Sequence, residues 1–186
     1  MIYVLQVLTG QEMAISGKLK EAGISGSVPR ENRLVRVKGS WTKREYCLMP
    51  GYVFIDINLS PERYYLVTGL PGVIRFLGYD GKPASLSYLE AEWLRVLSGE
   101  HGEAVEPTIV RFGSDGTAEI AGGILKYFES RIIKIEKRSR RATFAITILG
   151  EVKEITLSVE IEGEKLSEGR GTALSCGTEE ILKEAT

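Results

Sequence analysis

Met49-Pro50-Gly51-Tyr52-Val53-Phe54-Ile55 decides how the first half of this chain folds. Pro50-Gly51 is a turn signal, and the aromatic and β-branched residues after it predict a strand from Gly51 to Ile57. Successive side chains of a strand point to opposite faces, so Tyr52 and Phe54 share one face while Val53 and Ile55 share the other. Both faces are apolar. A small sheet with helices on one side leaves one of these faces to be covered by loops, by a second domain, or by a partner for which paired aromatics are good anchors.

Working outward, Ile2 to Val7 reads as a strand. It is broken by Thr9-Gly10 and followed by a helix over Gln11 to Ala22, where Met13, Ile15, Leu19 and Ala22 recur at helical spacing. Arg33 to Val37 alternates as one strand of a hairpin with basic outward positions. Ser60-Pro61-Glu62 starts a second helix, with Ser60 as cap and Pro61 in the first turn, and Gly72 to Leu77 returns as a strand. Ser87 and Glu90 have capping-box spacing for a third helix through Leu97. The order β-α-β-β-α-β-α predicts an α+β fold for residues 1–98, an α/β sandwich in which helices cover one face of an antiparallel sheet.

Polar, glycine-containing residues then mark a linker over 99–107. Thr108 to Phe112, Thr117 to Ile120, Arg131 to Lys137, Arg141 to Leu149 and Val152 to Val159 read as short strands. A small five-stranded β-barrel over 108–162 is the expectation. The remainder, 163–186, is Gly/Ser/Thr-rich and acidic and is expected to be a mobile tail.

Charge is unevenly distributed. The chain has 24 Lys and Arg against 25 Asp and Glu, but between Lys126 and Arg141 seven bases (Lys126, Arg131, Lys134, Lys137, Arg138, Arg140, Arg141) meet two acids (Glu129, Glu136). From Glu160 to Thr186 the balance reverses, with seven glutamates against three bases. Alternation from Ile133 predicts Ile133 and Ile135 inward with Lys134 and Glu136 outward, and makes Lys137 to Arg141 a hairpin tip crowded with cations. Phosphates would relieve the mutual repulsion and release counterions. A solubilising loop has the same composition, and the residues alone leave both readings open. A second basic set, Arg33, Arg36, Lys38, Lys43 and Arg44 with Trp41 among them, fits a solvated hairpin face or a surface for a nucleic-acid strand stacked on Trp41.

Catalysis finds no support. His101 is the only histidine and falls in the linker, and the glycine turns at Gly113 to Gly116 and Gly122-Gly123 lack the lysine of a phosphate loop. Cys47 and Cys176 are far apart with no histidine pattern, which argues against a disulfide framework or a zinc site. No enzyme activity, cofactor or metal is expected. The opening MIYVLQVLTG is too short for a membrane span and lacks a signal-peptide pattern, so a cytoplasmic protein with no membrane association is expected.

Three blocks resemble the N-terminal domain of NusG-type transcription factors in order and spacing: Tyr3 to Glu12, Met49 to Phe54 and Leu70-Pro71-Gly72-Val73-Ile74-Arg75-Phe76-Leu77-Gly78. Pro83, Leu86-Ser87 and Glu90 extend the likeness to about residue 98. About Phe112 to Glu160 resembles the KOW domain, a small barrel, with Ser130 where a glycine usually precedes the Ile-Ile strand. Ile132 to Arg138 looks most like the specialised LoaP-type paralogs. The resemblance implies a monomeric elongation factor. Tyr52 and Phe54, with Met49, Pro50 and Gly51, would dock on the clamp helices of the largest subunit of RNA polymerase. The factor would promote processive antitermination. Its KOW domain would grip a leader RNA hairpin through Lys126, Arg131, Lys134, Lys137, Arg138, Arg140 and Arg141, by phosphate and 2′-hydroxyl contacts. Arg33, Arg36, Trp41, Lys43 and Arg44 would approach non-template DNA. A housekeeping NusG-like factor and a ribosome-associated RNA-binding protein are the alternatives.

Overall fold

The computed structural model describes residues 1–99 and 101–164. Its first half runs β1 (Ile2–Val7), α1 (Glu12–Glu21), β2 (Ser25–Ser27), β3 (Arg30–Val37), β4 (Ser40–Cys47), β5 (Tyr52–Asp56), α2 (Pro61–Thr68), β6 (Val73–Phe76), β7 (Gly78–Tyr79), β8 (Lys82–Pro83) and α3 (Tyr88–Leu97). Four strands form an antiparallel sheet in the order β2-β5-β1-β6, with Val4 opposite Phe54 and Gln6 opposite Tyr52 at its centre.

The helices begin where their caps predict. Ser60 Oγ accepts from the Arg63 amide at 3.3 Å, and Ser87 and Glu90 close a full capping box. Their distribution differs from the expectation of helices on one face. Ile15 and Leu19 of α1 and Val67 of α2 pack with Tyr3, Leu5, Val7, Val53 and Ile55. Leu94 and Leu97 of α3 instead join Val4 and Phe54 on the opposite face. Alternation makes both faces of β1 and β5 apolar, so both need cover.

The predicted basic strand is β3, and its partner β4 was not foreseen. They form a separate two-stranded sheet joined by Lys38-Gly39, at φ 48 and 87. Positive φ at both central residues is the turn geometry whose twist suits a tight hairpin.

The second half contains β9 (Thr108–Phe112), β10 (Ala118–Gly122), a 3-10 helix (Ile124–Arg131), β11 (Ile132–Glu136), β12 (Arg141–Ile148) and β13 (Glu151–Ile161). All five predicted strands are present, in one mixed sheet of order β10-β9-β13-β12-β11, with β13 parallel to β9 and antiparallel to β12. The sheet is a half-barrel: no pairing joins its edges β10 and β11 among the described residues. Phe128 of the 3-10 helix stacks on Phe144, ring centroids 4.5 Å apart, and fills its concave side. Phe144, Ile146 and Ile148 point inward as alternation predicts. Ile133 does not. The β11 register slips between Ile132 and Lys134, and this irregularity turns Ile133 outward to 53% exposure.

The expected linker is partly fixed. Val105 is buried, its amide donates to the Arg30 carbonyl at 2.8 Å, and its carbonyl accepts from the Asn32 amide at 2.8 Å. Cys47 is buried. Cys176 and the expected tail from position 165 onward lie outside the described residues.

Glu12 ties the first turn of α1 to the Pro50-Gly51 turn. Fully buried, its carboxylate accepts from the Gly10 amide at 2.9 Å and the Gly51 amide at 2.6 Å. Glu12→Ala strands both donors and is expected to lower stability by about 2–3 kcal/mol in urea unfolding, with Glu12→Gln retaining part of the loss.

Candidate functional site

Tyr52 and Phe54 lie on the sheet face that turns toward the second half. Phe54 is 1% exposed, Met49 and Gly51 are buried, Tyr52 is half-buried and Pro50 is exposed. Val4, Leu48, Met49 and Phe54 form one apolar cluster with Leu94 and Leu97 of α3 and with Leu125, Phe128, Ile146, Ile148 and Ile155 of the second half. The structure covers this face with the chain's own second half together with α3.

Polar contacts reinforce this seam. Glu90, which already caps α3, accepts from the Leu149 amide at 2.6 Å. Lys153 Nζ lies 5.7 Å from the Tyr52 ring centroid. Its hydrogen bond to Glu151 is the main cause holding its pKa above the ordinary lysine value, with proximity to Tyr52 adding to the effect and burial opposing it. A cleft of about 400 Å³ runs beside this contact, lined by Tyr52, Phe54, Arg75, Lys82, Lys153 and Glu154 among others.

A second, polar contact joins β3 to β12 and β13. The Ser158 amide donates to Glu31 at 2.8 Å, the Leu34 amide donates to Ser158 Oγ at 2.9 Å, and Arg141 donates to Ser158 Oγ at 2.8 Å and to the Leu34 carbonyl at 3.0 Å. Glu31 and Ser158 are both buried. Asn32 and Lys43 reach Glu106 at 2.6 and 2.8 Å.

The seven bases of the second half therefore divide. Lys126 and Arg138 are exposed. Arg131 lies over Trp93 at 4.4 Å from the ring centroid, and Lys137 over Phe112 at 5.2 Å. Lys134 pairs with Glu136 at 3.3 Å. Arg140 and Arg141 turn away from the tip into the seam. Arg140 is in the left-handed region at φ 53 and 6% exposed, stacked 4.8 Å from the Trp41 ring centroid and paired with Glu164. The expected cluster of four tip cations is thus a pair, Lys137 and Arg138, beside a buried Arg140 and a half-buried Arg141.

In the first half, Arg33 pairs with Glu31 at 2.6 Å and lies over the Tyr46 ring. Arg36 donates only weakly, to the Gly39 carbonyl at 3.4 Å, and Arg44 is exposed. Trp41, expected as an open stacking platform, is occupied by Arg140. Sequence reasoning missed Glu31, Glu90 and Ser158 as seam residues. Their signals were faint: an acid in a basic strand, a carboxylate already explained by its cap, and one serine inside the apolar run Leu157-Ser158-Val159. Among the described residues no helix is long and apolar enough to cross a membrane.

The molecule is thus an α/β sandwich joined to a half-barrel with two basic hairpins meeting at the joint. The family model described as "Transcription termination factor nusG" matches residues 2–95. The transcription termination/antitermination protein NusG of Helicobacter pylori strain J99 is 25% identical over 165 residues, covering 83% of this chain and 93% of that protein. That of Rickettsia bellii is 29% identical over 116 residues, 62% of this chain and 60% of that protein. A solved structure described as "Domain interaction in Thermotoga maritima NusG" shares the fold at TM-score 0.52 and 20% identity, over 85% of this chain and 93% of that one. The chain belongs to the NusG family of transcription termination/antitermination factors.

Because Phe54 belongs to the shared apolar cluster, Phe54→Ala is expected to cost about 3–5 kcal/mol in denaturant unfolding, and Tyr52→Ala, at a half-buried site, clearly less.

Proposed function

We propose that this NusG-family protein is an elongation factor that docks on RNA polymerase through the Tyr52 and Phe54 face and promotes processive antitermination in the manner of the LoaP-type paralogs. In this reading its KOW-type second half recognises a leader RNA hairpin. The observation that carries the proposal is the character of that face: paired aromatics flanked by Met49, Pro50 and Gly51 and packed in one apolar cluster with α3 and the chain's own second half. Docking on the clamp helices of the largest subunit exchanges this internal cover for an external one. It needs no catalysis and no cofactor. Separation of the halves also uncovers Trp41, which with Arg36 and Arg44 then suits a single strand of non-template DNA.

RNA capture rests on the exposed bases Lys126, Lys134, Lys137 and Arg138. The A-form major groove is too deep and narrow for side chains to read, so recognition relies on phosphates, 2′-hydroxyls and loop bases. A housekeeping role is the second reading, favoured by the match to general NusG proteins over 83% of the chain. The two separate on a leader-terminator template: read-through restricted to templates carrying the leader hairpin supports the specialised role, and equal effects on all templates support the housekeeping one.

Two measurements test the proposal. Immobilised protein is expected to retain RNA polymerase, and Tyr52→Ala to weaken retention by about tenfold, the loss of one interface anchor; no retention by the unaltered protein refutes docking. Lys137→Ala with Arg138→Ala is expected to reduce RNA affinity and to lower the slope of log affinity against log salt by about two.

A further inference from the structure

We propose that Tyr127 is the base-stacking residue of the RNA surface, so that the second half takes a stem carrying an unpaired base, in a loop or a bulge, in preference to uninterrupted duplex. This rests on the RNA-binding reading above and needs no movement of one half against the other. The observation that carries it is a contrast among aromatics. Trp41, Trp93 and Phe112 lie beside the basic segment, and each has its ring taken by one of its cations: Arg140, Arg131 and Lys137 respectively. Arg140 is itself buried there, with Nη1 unpartnered among the described residues. Phe128 and Phe144 are buried and stacked on each other. Tyr127 differs from all of these. It is 75% exposed, the one exposed aromatic of the second half among the described residues, and neither its ring nor its hydroxyl meets a partner among them.

The 3-10 helix puts the ring there. Three residues per turn bring positions i and i+3 onto one face. Leu125 and Phe128 therefore share the face packed into the half-barrel, both fully buried, and Arg131 continues that row onto Trp93. The other two rows, Lys126 with Glu129 and Tyr127 with Ser130, face solvent. The backbone at Tyr127 is held by a buried neighbour on its C-terminal side and another two residues before it, while its ring stays open. That is a fixed support for a flat ligand, and a base laid on it removes apolar area of both partners from water.

Its surroundings select a polyanion. Lys126 is exposed immediately before it. The 3-10 helix meets β11 at Ile132 and the turn carrying Lys137 and Arg138 follows Glu136, so the tyrosine and the tip cations stand at opposite ends of one five-residue strand, roughly 13 Å long. Lys134 is exposed between them, and no strand pairs beyond β11 among the described residues. A nucleic acid laid along this edge meets cations at both ends and an open aromatic ring at one end only. Bases inside a duplex are already stacked on their neighbours, whereas a loop or bulge base can be splayed onto an aromatic side chain, a contact that tolerates any base.

The full-length protein tests this with two RNAs at low ionic strength, a stem-loop of arbitrary sequence and a blunt duplex of the same stem without loop or bulge. The unaltered protein is expected to favour the stem-loop by about tenfold, the contribution of one stacked base. Tyr127→Ala is expected to abolish that preference by weakening stem-loop binding alone, and Tyr127→Phe, which keeps the ring, to retain it. Stacking involves no phosphate, so Tyr127→Ala leaves the slope of log affinity against log salt unchanged, whereas Lys126→Ala lowers it by about one. Equal affinity of the unaltered protein for the two RNAs, stem-loop binding unaltered in Tyr127→Ala, equal losses on both RNAs, or a loss in Tyr127→Phe as large as in Tyr127→Ala overturns the stacking role and leaves the RNA-binding reading intact. No binding of either RNA by the unaltered protein overturns both.

Discussion

One sheet with two apolar faces governs this molecule. In β1 and β5 the alternation places Tyr3, Leu5, Val7, Val53 and Ile55 on one side and Val4 and Phe54 on the other, with Ile2 and Tyr52 at its margin. The two hydrophobic clusters among the described residues follow that division. Helices α1 and α2 suffice for the first face. The second is wider than α3 alone can cover, and burial of apolar area favours whatever else in the chain supplies a matching surface. The half-barrel supplies it through Ile146, Ile148 and Ile155, so the core of the second half and the underside of the first become continuous.

The seam so formed has two chemically distinct ends. Around Phe54 it is apolar and non-directional, tolerant of small shifts. Around Ser158 it is a buried polar network in which a carboxylate, a hydroxyl, two backbone amides and a guanidinium must all align. Networks of this kind fix one arrangement, because a partly satisfied version is costly in a low-dielectric setting. The apolar end favours contact between the halves, and the polar end sets which surfaces meet. Arg140 departs from the pattern, and it does so at the place where the basic turn of the second half reaches the hairpin of the first.

Elements whose stability is local were legible in the sequence. The β1, β5 and β9 strands declare themselves by alternation or β-branched content, and α2 and α3 by side-chain caps that close within three residues. The strand β4 was not legible, since Trp41-Thr42-Lys43-Arg44-Glu45 is mostly polar and its pairing depends on the Lys38-Gly39 turn, the signal that would have found it. The exposure of Ile133 was hidden because an irregular register breaks the very periodicity used to assign faces. The site shows the same division. Composition identified the basic segment from Lys126 to Arg141 and alternation identified the paired aromatics. Which bases remain open to solvent is decided by contacts more than a hundred residues apart in sequence, such as Arg141 with Leu34. No local pattern encodes these.

The pinning of Val105 on β3 sets how far the halves can travel. While its two hydrogen bonds to Arg30 and Asn32 hold, only Glu106 and Pro107 separate the anchored strand from β9, and the half-barrel can rock by no more than a few residues' length. Released, the segment from Ser98 to Pro107 becomes a tether of roughly 30–35 Å when extended. If docking parts the halves as proposed, Val105 is the pawl between a short stroke and a long one: a cover loosened but still pinned would fall back onto its own sheet, whereas one freed at Val105 could swing clear of it.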